Sequence, residues 1–203
     1  MLLREKKEIE DWLNHYNIQN YVLIENQKYG YVVDVYNCVE LSYKRLKNIK
    51  VKFNKVEKWF DCSNNELESL EGCPNIVRKA FYCHSNLLKT LEGCPEVVGE
   101  NFNCSYNELT SLEGCPKFVG KAFYGNNNNL LIEYLKYLPE IVENNYIKIN
   151  NNEELGELEN INNFDNLKEK VEEILKIKKE KENLLNMINK EDINENNNSV
   201  NKL

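Results

Sequence analysis

Residues 60–80 read FDCSNNELESLEGCPNIVRKA, and residues 81–101, FYCHSNLLKTLEGCPEVVGEN, repeat the same pattern 21 positions later. Residues 102–122, FNCSYNELTSLEGCPKFVGKA, make a third copy, and FYGNNNNL (123–130) begins a fourth. The aligned positions form columns of one residue type, namely Phe60/Phe81/Phe102/Phe123, Cys62/Cys83/Cys104, Asn65/Asn86/Asn107/Asn128 and Leu67/Leu88/Leu109/Leu130. A fixed period of this length predicts a solenoid, in which every coil buries its apolar side against the neighbouring coils.

Within each copy the pattern F-x-C-x-x-N-x-L matches the leucine-rich-repeat pattern, with Phe and Cys in the first two leucine positions. Phe and Cys are two residues apart, so both face inward from a short strand, and stacked coils predict a parallel sheet with ~4.8 Å between strands. The asparagine column falls where the chain leaves the strand, and its amides can bond backbone groups buried there. The Gly-Cys-Pro step then turns the chain onto the convex side, where we expect short extended or 3₁₀ segments.

The repeats share the consensus sequence C-S-x-N-x-L-x-S-L-E-G-C-P-x-x-V-G. This consensus resembles that of short leucine-rich-repeat proteins that are common in bacteriophage and bacterial genomes. The segment before them also resembles the leading region of those phage proteins, so the resemblance covers roughly residues 8–150. It implies the fold and a viral or mobile-element origin, and it implies no particular activity.

Hydropathy and length indicate four parts. An apolar stripe of Ile9, Trp12, Leu13 and Tyr16 predicts a helix that, with a hairpin, forms an N-terminal cap (1–38), although a partner-binding helix is the alternative. The solenoid follows (39–155), beginning with a degenerate coil. A charged helical segment (156–190) either docks on the solenoid or forms a weak dimer, and an asparagine-rich tail (191–203) is expected to be disordered.

The mean hydropathy of −0.65 and the lack of a long apolar run predict a cytoplasmic protein without a signal peptide or membrane span. Six of the seven cysteines lie in two repeat columns, where a small buried residue of constant size is needed. Their spacing fits no zinc pattern, so we expect core packing rather than a metal site, and no cofactor.

Basic residues are concentrated in the degenerate coil, although the whole chain has a net charge of −7. This basic band consists of Lys44, Arg45, Lys47, Lys50, Lys52, Lys55 and Lys58. It could contact nucleic acid or an acidic protein, but lysines at a solenoid end also discourage end-to-end stacking.

The outward residues of the strands form the surface that a leucine-rich repeat presents to partners on its concave face. The predicted partner-binding residues are Asp61, Tyr82, His84, Asn103, Tyr106, Tyr124 and Asn126. Tyrosine is enriched in protein interfaces, so the tyrosines and His84 form the best candidate hot spot, unless they are scattered surface residues of a tyrosine-rich chain. Ser63 and Ser105 share the column of His84, and we expect them on the same surface.

No carboxylate pair, activated nucleophile or phosphate loop is apparent, so we expect a non-enzymatic protein-binding module. The resemblance to phage proteins implies a more specific hypothesis, namely that the chain inhibits a host protein such as a nuclease or CRISPR effector. An inhibitor of a CRISPR effector would be an anti-CRISPR protein. The alternatives are nucleic-acid binding through residues 44–58 and a generic bacterial leucine-rich-repeat adaptor.

Overall fold

The structure, a computed structural model, describes residues 2–144, 146–149, 161 and 163–200. Helix α1 (Lys6–His15) and the hairpin strands β1 (Tyr21–Asn26) and β2 (Gly30–Val35) precede the coils, a 3₁₀ helix (Ile132–Tyr137) interrupts them, and helix α2 (Phe164–Val200) follows. The strands of the coils are β3 (Val39–Glu40), β4 (Phe53–Val56), β5 (Phe60–Asp61), β6 (Ile76–Val77), β7 (Phe81–Tyr82), β8 (Val97–Val98), β9 (Phe102–Asn103), β10 (Phe118–Val119), β11 (Ala122–Tyr124), β12 (Ile141–Val142) and β13 (Tyr146–Lys148).

The strands form two sheets that enclose one core, which confirms the predicted solenoid of short parallel strands. The six-stranded sheet has the order β13-β11-β9-β7-β5-β3, and the seven-stranded sheet has the order β1-β2-β4-β6-β8-β10-β12. Each coil thus contributes two strands, whereas the repeat pattern alone predicted one. The extended segment after Gly-Cys-Pro recurs at the same spacing, so its backbone groups meet their equivalents in the next coil and pair as a second ladder.

Strand register follows the sequence repeat. Phe60 pairs with Phe81 and Phe81 with Phe102, and the degenerate coil joins the same ladder through the pair Val39 and Phe60. After β11 the coil is longer, because the 3₁₀ helix is inserted before β12. The spacing from Pro116 to Pro139 is accordingly 23 residues, compared with 21 between the preceding repeat prolines.

The phenylalanine column forms one continuous interior stack. The ring centroids of Phe60 and Phe81 lie 5.6 Å apart, and those of Phe81 and Phe102 lie 5.9 Å apart, with interplanar angles of 14° and 6°. Phe123 continues the stack at 5.2 Å from Phe102. All four side chains are fully buried, as predicted. Stacked rings at this spacing contribute favourable packing beyond their buried area.

The asparagine column bonds each coil to the coil before it. Asn107 donates from Nδ2 to the carbonyl oxygens of Cys104, in its own coil, and Cys83, in the preceding coil, at 3.0 and 3.1 Å. Its Oδ1 accepts from the backbone N–H of Leu88 at 3.1 Å. Asn65, Asn86 and Asn128 make the corresponding bonds in the other coils. The predicted structural role of this column is therefore confirmed.

Two glycines mark a place where successive coils approach most closely. A Cβ atom on Gly99 would lie 2.0 Å from the carbonyl oxygen of Arg78, and one on Gly120 would lie 2.1 Å from that of Gly99. No side chain fits there unless the coils separate. The glycine of the Gly-Cys-Pro step serves a different purpose, since Gly93 has a φ of 87° that turns the chain between the two sheets.

Helices cover both ends of the stack. The buried Ile9, Trp12 and Leu13 of α1 face the first coil, and the Trp12 ring lies 6.3 Å from that of Phe53. At the other end Phe164, Leu167 and Val171 of α2 are buried, so the start of this helix docks on the solenoid. The predicted amphipathic pattern explains both contacts.

Helix α2 continues to Val200, through most of the segment (191–203) for which the composition predicted disorder. Extending an existing helix is favourable because propagation adds one backbone hydrogen bond for each residue fixed. The predicted end of the solenoid at residue 155 lies outside the described residues. Among the helices of the described segments, none has both the length and the apolar composition needed to cross a lipid bilayer.

Replacing Asn107 by alanine should lower the free energy of unfolding by about 1–3 kcal/mol, because two carbonyl groups and one N–H lose their buried partner. Asn129→Ala removes an exposed amide in the next coil and should change stability by less than about 0.5 kcal/mol. Urea unfolding followed by circular dichroism gives both values. Equal effects of the two substitutions would contradict the role of the asparagine column.

Gly99→Ala should destabilise the protein by about 1–3 kcal/mol or more, because the added methyl group has no space against the preceding coil. The matched control is Arg78→Ala in the same column, which removes only an exposed ion pair to Glu57 and should cost about 0–1 kcal/mol. Thermal unfolding of both variants, compared with the unsubstituted protein, measures the two effects as changes in melting temperature. A Gly99 variant as stable as the Arg78 variant would show that the coils separate without penalty.

Candidate functional site

The outer side of the six-stranded sheet brings the predicted partner-binding residues together. Asp61, Tyr82, Asn103 and Tyr124 follow one another on β5, β7, β9 and β11, each half-buried. His84 and Asn126 lie beyond the strand ends, and Tyr106 lies in the following turn. We call this surface, made of these seven residues, the open face.

Side chains of the open face bond the backbone that follows each strand. The Asp61 Oδ1 accepts from the backbone N–H of Ser63 at 2.9 Å, and the Asn103 Oδ1 accepts from that of Ser105 at 3.0 Å. Tyrosine cannot make this local bond, and the Tyr82 ring instead lies 6.5 Å from that of His84. The two hydrogen bonds fix the Asp61 and Asn103 side chains against the backbone of their own coils.

Two residues of the predicted surface are not accessible. Ser63 and Ser105 are only 2% and 3% exposed, so the expectation that their column faces solvent throughout is wrong at these positions. The Ser105 hydroxyl donates to Asn126 Oδ1 at 2.8 Å, and Asn64 donates to the Ser63 hydroxyl at 3.1 Å. Small side chains are covered by these neighbours, whereas the larger His84 and Asn126 still reach solvent.

The turn after each strand places one residue in the left-handed region. Tyr43, Asn64, Ser85, Tyr106 and Asn127 occupy this position in successive coils, with φ between 54° and 56°. Asparagine adopts this conformation readily, but it is uncommon for an aromatic residue. Tyr43 and Tyr106 are nevertheless 76% and 57% exposed. Their rings therefore contribute little to the core, and at Tyr106 an aromatic surface is added to the open face.

His84 is neutral at neutral pH. Partial burial lowers its pKa below the ordinary value of 6.5, and the nearby Asp61 carboxylate offsets part of this shift. Its Nδ1 lies 3.2 Å from the hydroxyl of Ser85. Cys83 is fully buried on the opposite side of the strand, where its thiol contacts the Asn103 carbonyl oxygen. The structure therefore does not bring Cys83 and His84 together as a nucleophile and base.

All seven cysteines are free thiols, and the two repeat columns pack in or against the core. Burial raises the pKa of the Cys115 thiol to about 12 and raises that of Cys104 still further, so neither forms a thiolate at neutral pH. In the part of the chain that the structure describes, no group of three or more Cys, His, Asp or Glu residues is placed to hold a metal ion.

The basic band does not form a single surface. Residues 44–58 occupy most of one coil, from the end of β3 through β4 to the start of β5, and so lie on different sides of the solenoid. The exposed members are Lys44, Arg45, Lys47, Lys50 and Lys58. One duplex or strand could contact only some of them at a time.

Two lysines of this band have structural partners. Lys52 occupies the place of the cysteine in Gly-Cys-Pro, and its half-buried Nζ donates to the Cys73 carbonyl oxygen of the next coil. Desolvation lowers the pKa of Lys52. Lys55 forms an ion pair with Glu57, which also binds Arg78 of the next coil. These two lysines stabilise the stack and leave less positive charge for a ligand.

The same side of the sheet also carries Trp59, Glu40 and Tyr146, which were not among the predicted site residues. Trp59, one residue before Phe60, donates from its indole nitrogen to the carboxylate of Glu40. The Tyr146 ring lies 5.7 Å from that of Tyr124 and extends the aromatic surface to the last strand. The alternation of the strands could have placed Trp59 outside, because its neighbour Phe60 points inward.

Comparison with protein-family models, with curated proteins and with solved structures finds no match for this chain.

The free energy of unfolding should fall as the pH drops below about 6.5, because unfolded His84 then binds a proton that the folded residue, with its lowered pKa, does not. His84→Asn should remove this part of the pH dependence. Urea unfolding of both proteins at pH values from about 7.5 to 5.5 measures the difference, since most carboxylates titrate below this range. An NMR titration that places the His84 pKa above 6.5 would contradict the analysis.

Proposed function

We propose that this protein binds another protein through the open face and performs no catalysis. The observation that carries the proposal is the set of tyrosines on the outer side of the six-stranded sheet, namely Tyr82 on β7, Tyr124 on β11 and Tyr146 on β13, with Tyr106 in the turn after β9. Tyrosine contributes large contact area with few rotatable bonds and a hydroxyl group that can bond a partner. An aromatic cluster of this kind is typical of binding hot spots.

Rigidity of the open face supports the same proposal. The strands below it are fixed by the asparagine bonds and the phenylalanine stack, and local bonds hold Asp61 and Asn103. A surface ordered before binding loses less conformational entropy when a partner docks. Burial of the thiols of Cys62, Cys83 and Cys104 on the inner side of the strands leaves the outer side to polar and aromatic groups that suit recognition.

The nature of the partner is proposed from the sequence. The repeats resemble those of bacteriophage proteins, which supports a host protein as the target and an inhibitory role of the anti-CRISPR type. The net charge of −7 supports a basic partner, such as a nuclease with a cationic nucleic-acid channel, because opposite charges accelerate association.

A double variant, Tyr82→Ser with Tyr124→Ser, should weaken partner binding at least about tenfold, since each truncated aromatic hot spot removes 1 kcal/mol or more. The partner is first captured from a bacterial lysate on the immobilised full chain and identified by mass spectrometry. Its affinity for each variant is then measured with purified components by biolayer interferometry.

The matched control is Val97→Thr with Ile141→Thr, which alters two exposed strand residues on the seven-stranded sheet. It should leave the affinity unchanged. Equal loss of binding in both double variants, or no loss in either, would refute binding through the open face. Melting curves of all variants verify that each one is folded.

A further inference from the structure

A surface cavity lies on the outer side of the six-stranded sheet beside Tyr82. Its volume is ≈ 360 Å³, within the range of about 300–1,000 Å³ typical of ligand pockets. The lining residues are Trp59, Asp61, Lys79, Ala80, Tyr82 and Glu100.

The cavity lies where the small Ala80 stands between larger residues of the two neighbouring coils. The position before the inward phenylalanine is Trp59, Ala80 and Asn101 in successive coils, and the backbones of these coils are paired there. The methyl group of Ala80 leaves space that the indole of Trp59 bounds on one side. Tyr82, two residues after Ala80 on the same strand face, bounds the cavity along the strand.

Two carboxylates without an ion pair lie at the Trp59 side of this cavity. Glu40 and Asp61 are directly paired on the parallel strands β3 and β5, whose backbones lie ~4.8 Å apart, so two like charges are close neighbours, an unfavourable arrangement. Glu40 accepts the bond from the Trp59 indole, and Asp61 accepts one backbone N–H. Within the described residues neither carboxylate lies within 4 Å of a lysine, arginine or histidine nitrogen.

The remaining charges of the cavity lie in one column along its other side. Lys79, Glu100 and Lys121 are equivalent positions of successive coils, and Glu100 forms an ion pair with Lys121 at 3.2 Å. Lys79 is exposed at the rim and is the one cation among the described residues that line the cavity. The Asp61 carboxylate and the aromatic rings therefore face the cavity from one side, whereas Lys79 and the ion-paired Glu100 face it from the other.

We propose that this cavity receives an arginine side chain of a partner protein, stacked against Trp59 and Tyr82 and bonded to the Asp61 carboxylate. A guanidinium group is planar, stacks on aromatic rings and bonds a carboxylate through two parallel N–H groups, which a lysine ammonium cannot do. The inference rests on the proposed function, because it names the chemical group that the binding surface would select. A side chain is the fitting source, since the cavity opens directly onto the open face beside Tyr82.

The test is an NMR titration of the ¹⁵N-labelled full chain with the pentapeptide amide Gly-Gly-Arg-Gly-Gly. The chain has two tryptophans, so the indole signal of Trp59 reports on the cavity while that of the buried Trp12 serves as the internal control. We expect a saturable shift of the Trp59 signal alone, with a dissociation constant on the order of 1–10 mM. The same peptide with citrulline, which keeps the shape but removes the charge, should bind much more weakly.

Three single substitutions test which charged side chains affect peptide binding. Asp61→Asn should weaken peptide binding roughly tenfold through the lost charge-assisted bonds. Lys79→Gln should strengthen it about two- to threefold by removing the competing charge. Glu68→Gln, which neutralises an exposed carboxylate away from the sheet, should have no effect.

Three outcomes would overturn the proposal: no saturable Trp59 shift, equal binding of the arginine and citrulline peptides, or tighter binding of free arginine than of the peptide. The last outcome would assign the cavity to a small molecule. Because the titration needs no partner protein, its failure is distinct from failure of the proposed function. If partner binding survives the Tyr82 and Tyr124 substitutions, the proposed function is refuted. The result of the peptide titration is not affected by that outcome.

Discussion

The amide of each column asparagine is the bond on which this fold depends. A carboxamide has donors and an acceptor on opposite sides, so one side chain can satisfy carbonyl groups of two coils and an N–H of the preceding coil. These backbone groups lie in the interior, where an unpaired group is expensive. Identical bonds in every coil force identical backbone paths, and identical paths bring phenylalanine onto phenylalanine. The aromatic stack and the sheets follow from this constraint rather than from strand propensity, since most strands are only two residues long.

Because of the same constraint, the residues that stabilise the fold and the residues that are available for recognition occupy different positions of each coil. Inward positions of the six-stranded sheet are restricted by the shared core to apolar residues, mostly Phe, Cys and Leu. The outward position, in contrast, varies from Asp61 to Tyr82, Asn103 and Tyr124 without disturbing the backbone. Variation on the outer side is thus free of the packing penalties that apply inside. Residues that depart from the consensus on that side, such as Trp59, are for this reason the informative ones for function.

Much of the architecture could be predicted from the sequence because the same residue columns recur in every copy of the repeat, and each copy indicates the same backbone path. Phe60 and its equivalents, the asparagine column and the buried cysteines were all assigned correctly from one aligned pattern. The second sheet was not predicted, because two-residue strands such as Ile76–Val77 carry no alternating pattern of their own. Burial of Ser63 and the cavity beside Ala80 depend on the sizes of neighbouring side chains in other coils. The partner of Lys52 depends on where the next coil places a carbonyl group, which composition does not reveal.

The two helical caps, described above as covers for the ends of the stack, also make the interior coils interchangeable. Each end surface of an interior coil fits any other interior coil, whereas only the terminal coils must fit α1 and α2. A duplication or loss of one 21-residue block would lengthen or shorten the open face by about 4.8 Å and leave both ends intact. Through changes in coil number alone, a lineage carrying this fold could adjust its reach across targets of different size.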